Sequence, residues 1–115
     1  CTPSYAEANK DTLVKFTRAL YKAMDFGSQE ANYDEVAGYV AAACGTDKES
    51  ALTQTGDGDW LDSATLLGYV EDGTIEKYYA TQEANFLADG KLTEEEGATP
   101  VSDFVLFDIM KEAGK

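Results

Sequence analysis

Apolar residues recur at steps of three and four along nearly the whole chain, the period of helices that hide one face. Leu13, Phe16, Leu20 and Met24 form the first stripe, and Lys10, Lys15, Arg18 and Lys22 fall mostly off it. The spacing predicts a helix from about Asp11 to Phe26, roughly 24 Å long, with Gly27 as a left-handed stop. Ahead of it, Ser4 and Glu7 have the spacing of a capping box, with Pro3 just before. This predicts a short helical turn that breaks near Asn9. Asn32 and Glu35 repeat the capping pattern before a stripe of Val36, Ala37, Val40 and Cys44, which Gly45 closes. Thr46 and Glu49 make a third box and open a short helix that ends before Gly56. The run TGDGDW reads as a turn, and Trp60, Leu61, Leu66 and Leu67 fall on a further short helix. Asp72-Gly73 is a turn, and Thr74 caps a helix with Ile75, Tyr78, Tyr79, Gln82 and Phe86 on its inner face; Gly90 follows its end. Pro100 permits a last start, with Val101, Phe104, Val105 and Ile109 lining a helix that Gly114 ends. Neither strand alternation nor an internal repeat interrupts this pattern. The expected class is mainly α, five to six helices with short connections, over residues 1–115 as a single segment.

Composition narrows the partners. Against 22 acidic residues stand 9 basic ones, a formal net charge of −13. Such a surface repels phosphate backbones and anionic lipid, which excludes nucleic acid as an expected partner. The chain lacks histidine, which removes Ser-His and Cys-His nucleophile pairs and the commonest zinc ligand. Cys44 lies on an apolar stripe and is expected to act as a small buried hydrophobe. Cys1 stands where a translated chain has Met. The expectation is an arbitrary start within a longer protein; the alternative is the lipidated Cys of a small helical lipoprotein or interaction module. Tyr5, Tyr21, Tyr33, Tyr39 and Tyr69 supply more aromatic surface than a small bundle needs, which suggests that some face another body.

Two features invite chemistry. ADGKLTEEE, from Ala88 to Glu96, resembles the back half of an EF-hand loop. With Gly90 at position six, Thr93 takes position nine and Glu96 position twelve. The front half fails: Leu87 at position three cannot ligate, Asn85 stands at position one in place of the usual Asp, and Asn85 and Phe86 still belong to the preceding helical stripe. A helix stop followed by an acidic loop is the stronger expectation, and Asp57, Asp59 and Asp62 make no better loop. Paired carboxylates are suggestible among so many acids, but none falls in an apolar setting, so a solvated surface is expected. Catalytic residues, bound metal and cofactors are not expected.

Two segments resemble a known family when taken together. Tyr5-Ala6-Glu7-Ala8-Asn9, Ala19-Leu20-Tyr21-Lys22-Ala23 and Asn32-Tyr33-Asp34-Glu35-Val36-Ala37 follow one another in the first. The second runs DGTIEKYYATQEANFLADGKL and, after a gap, PVSDFV. Their order and spacing resemble the C-terminal portion of ABC-transporter periplasmic solute-binding proteins, in the branch that takes aliphatic sulfonates, taurine, nitrate or thiamine precursors. The resemblance implies a segment of a two-lobe α/β type II periplasmic-binding-protein fold. It further implies capture of a small anionic or heterocyclic solute and its delivery to membrane subunits of an ABC importer. The setting would be periplasmic or extracellular, with a lipid anchor on the full-length protein as one form. Most cleft residues would lie upstream. Ser4, as a hydrogen-bond donor, and Tyr5, as a wall, are the ligand-binding candidates in this chain, although capping and packing suit them as well.

Overall fold

The computed structural model describes residues 1–55 and 57–115. Among these residues the chain is helical and holds no strand. Its α-helices are α1 (Pro3–Ala8), α2 (Lys10–Gly27), α3 (Tyr33–Cys44), α4 (Lys48–Thr53), α5 (Ser63–Glu71), α6 (Thr74–Ala88) and α7 (Phe107–Ala113). Short 3-10 turns occur at Glu30–Asn32, Glu96–Ala98 and Val101–Asp103. The mainly helical expectation therefore holds. Gly56, expected to follow the fourth helix, lies outside the described residues.

The helix ends follow local chemistry, and several differ from the expected caps. Helix α1 starts two residues earlier than Ser4 would set it. The Thr2 hydroxyl accepts from the Tyr5 N–H at 3.3 Å, and Pro3 fills the first helical position, where its missing N–H costs nothing. Ser4 is thus inside the helix rather than its cap. Asn9 breaks the chain at φ −130°, as expected. Gly27 stays helical, so the left-handed stop expected there does not form; the Ser28 N–H instead caps the Met24 carbonyl at 2.8 Å. Asn32 does not cap α3, because its amide donates to the Phe26 carbonyl at 2.8 Å. Asp47, not Thr46, caps α4, accepting from the Ser50 N–H at 2.8 Å. Asp62 caps α5 through the Thr65 N–H at 2.7 Å, which leaves Trp60 and Leu61 ahead of the helix instead of on it. At α6, the Asp72 carboxylate accepts from the Thr74 N–H at 2.9 Å, so Thr74 is a first-turn residue and not the cap. Gly45 ends α3 at φ 68°, where a side chain would be strained. The last expected helix is split: a 3-10 turn holds Val101, and α7 begins only at Phe107.

The main core joins helices distant in sequence. Val14 and Tyr21 of α2 are buried with Ile109 and Ala113 of α7, and Leu13, Met24, Leu66 and Leu67 pack around them. Polar groups reinforce this seam. The last carbonyls of a helix lack intrahelical donors, and α2 supplies them to α7. Arg18 Nε donates to the Ala113 carbonyl at 3.2 Å and Nη2 to that of Glu112 at 3.3 Å. The Tyr21 hydroxyl donates to the Met110 carbonyl at 3.1 Å, and its burial pushes the phenol pKa up. A guanidinium at a helix C-terminus also opposes the helix dipole favourably. Lys10 pairs with Glu112 at 3.3 Å. A smaller contact of Ala37 and Ala41 with Ala51 joins α3 to α4.

The burial corrects three expectations. On α2 the covered line runs through Val14 and Tyr21, while Phe16 is 60% exposed and Leu20 48%. Helix α6 has no buried residue, and its expected inner face of Tyr78, Tyr79 and Phe86 is exposed. Cys44 is exposed, as is Cys1, and both thiols are free.

The result is an open assembly. Its radius of gyration is 17.0 Å, against roughly 13 Å for a compact domain of this length. Its accessible surface is 8156 Å², whereas a folded monomer of this mass exposes roughly 6,100 Å². The surplus of about 2,000 Å² exceeds the roughly 800 Å² that one partner contributes to a standard interface.

Candidate functional site

An apolar groove of about 730 Å³ lies between α2, α3 and the segment leading into α5. Leu20, Met24 and Phe26 line one side, Val36 and Tyr39 the other, and Trp60 lies at one end. Local bonds set its walls. Asp25 Oδ1 on α2 accepts from the Ser63 N–H at 2.7 Å, which fixes the start of α5 beside α2. The Trp60 indole N–H donates to the Thr55 carbonyl at 2.8 Å. The Asn32 amide, bound to Phe26, holds the turn between α2 and α3. The Tyr39 hydroxyl donates to the Glu35 carboxylate, and that hydrogen bond and charge hold the phenol pKa above its ordinary value. Asp59 is the one carboxylate lining the groove among the described residues. The chemistry on offer is burial of apolar surface. The lining lacks the few convergent polar groups that orient a small polar ligand.

A second recess, about 380 Å³, lies where α1 meets the start of α7, between Glu7, Lys10, Leu106 and Asp108. Ser4 and Tyr5, the candidates drawn from the sequence, line neither recess. Both are exposed on α1, next to one another in the chain, and the Ser4 hydroxyl lies 3.3 Å from that of Thr2.

The acidic loop after α6 is a helix stop with its own cap. Asn85 and Leu87 belong to α6. Gly90 takes φ 64°, and the Lys91 N–H returns to the Phe86 carbonyl at 2.8 Å, the closure of a Schellman-type end. Thr93 and Glu96 then form a reciprocal capping box. Glu96 Oε2 accepts from the Thr93 N–H at 2.8 Å and its hydroxyl at 2.9 Å, while the Glu96 N–H donates to Thr93 Oγ1 at 3.3 Å. Those donors hold the Glu96 carboxyl below its ordinary pKa. The residue that would supply the bidentate calcium ligand is therefore turned onto its own loop. Among the described residues no cluster of three Asp, Glu or Cys side chains is arranged to hold a metal ion. The Thr-x-x-Glu signal was present in the sequence, in the same residues that suggested calcium positions nine and twelve.

No family model, curated protein or solved structure matches the chain. Among the described residues no helix is long and apolar enough to cross a membrane.

Proposed function

We propose that this chain is the helical C-terminal part of a solute-binding protein serving an ABC importer, and that it acts by ligand capture and delivery without catalysis. The observation that carries the proposal is the uncovered apolar surface. Phe16, Leu20, Tyr39 and Trp60 on one side, and Tyr78 and Phe86 on another, are all exposed. Large aromatic and aliphatic side chains in water on two faces call for another body to cover them. The ordered phrases from Tyr5 to Ala37 and from Asp72 to Val105 select the class of that body: the remaining lobes of a two-lobe binding protein.

In this reading the solute, a small anionic or heterocyclic molecule, sits in a cleft formed mainly by upstream residues. Ser4 and Tyr5 stand nearest to it, Ser4 offering a hydroxyl to an anionic head group and Tyr5 an aromatic wall. The loaded protein presents its closed form to the importer's membrane subunits, a population shift driven by the solute. The setting is periplasmic or extracellular.

Titration calorimetry on the complete gene product tests this. Taurine, a short alkanesulfonate, nitrate and a hydroxymethylpyrimidine are the ligands to try, and saturable one-to-one binding of one of them is expected. A coding sequence in which a signal peptide directly abuts Cys1 would instead support a small lipoprotein module and end the proposal.

A further inference from the structure

We draw no further inference here: the strongest candidate, the apolar groove between α2, α3 and the Trp60 segment, is an unpartnered face, and nothing in the structure shows what covers it.

Discussion

The seam between α2 and α7 makes a sharp prediction when paired with the face of α2 that it leaves bare. Ile109 is 7% exposed and belongs to the cluster of Val14, Tyr21 and Ala113. Truncating a buried Ile to Ala costs about 2–5 kcal/mol. No large side chain in this core is fully enclosed, so the site can relax, and the lower part of that range, about 2–3 kcal/mol, applies to Ile109→Ala. A chain of this length has a total stability of roughly 6 kcal/mol if it sits at the lower end of ordinary domains. The substitution therefore removes a third to a half of it. The melting midpoint should drop by on the order of 10 °C. Phe16→Ala should behave differently, because its ring is 60% exposed and Ala is the better helix former. Its effect should stay within about 0.5 kcal/mol. Urea denaturation of this chain, followed by far-UV circular dichroism, measures both. If Phe16→Ala cost as much as Ile109→Ala, the described core would be on the wrong face of α2. The complete protein adds a second arm. There Phe16→Ala should become expensive, about 3–5 kcal/mol, if the proposed lobes cover that face.

Three further outcomes are expected. A Cβ on Gly114 would lie 2.3 Å from Leu67 Cδ1, so Gly114→Ala should force Leu67 aside and cost about 1–3 kcal/mol, read as a lowered melting midpoint; an unchanged midpoint would mean that Leu67 moves freely. The N-terminal caps of three helices predict acid sensitivity. Hydrogen bonds from Ser50, Thr65 and Thr74 lower the carboxyl pKa of Asp47, Asp62 and Asp72 respectively. Their stabilisation is complete above the unfolded carboxyl pKa, near pH 4, and is lost as pH falls through the lower folded values. The triple variant Asp47→Asn, Asp62→Asn, Asp72→Asn should lose less stability than the parent on acidification below about pH 4, and equal slopes in the two proteins would refute the cap assignment. Finally, calorimetry with calcium should detect no site tighter than millimolar; a micromolar site abolished by Asp89→Ala would overturn the assignment of the acidic loop as a helix stop.

Helix existence was legible in the sequence because it rests on local periodicity and on glycine or proline punctuation. Helix α2 came within a residue or so of its expected limits, and Gly45 and Gly90 stand just past helix ends as expected, each with a left-handed φ. The buried face was not legible. Leu13, Phe16, Leu20 and Met24 satisfy helical spacing, but so do Val14 and Tyr21. What chooses between them is α7, whose Met110 carbonyl meets Tyr21 across 89 positions of sequence. Capping was misplaced for a related reason. Thr46 and Asp47 stand side by side, Asp62 directly precedes Ser63, and Asp72 stands two residues before Thr74; the backbone decides which oxygen reaches an N–H. Thr93 and Glu96 show the converse. One spacing fits both a calcium loop and a capping box, and the helix running through Asn85 and Phe86 removes the first option. Ser4 and Tyr5 became ligand-binding candidates only through the resemblance, since nothing in their own local pattern separates a ligand contact from a short helix.

The distribution of charge along α2 bears on the bare face more strongly than exposure alone. Thr12, Phe16, Leu20, Ala23 and Gly27 follow one another at steps of four and three, so they share one side of the helix. None of them is charged, in a chain where 27% of residues are. Asp11, Lys15, Arg18 and Lys22 gather on a different side. A helix covered on one side only would be expected to place those charges across all of its remaining circumference. Here α7 covers the flank through Val14 and Tyr21, yet the adjoining side is also uncharged and ends in the groove at Met24 and Tyr39. Two apolar sides on one helix correspond to two packing partners. One of these is α7. The other is what the proposed lobes would supply, and the Phe16→Ala comparison between this chain and the complete protein measures it directly.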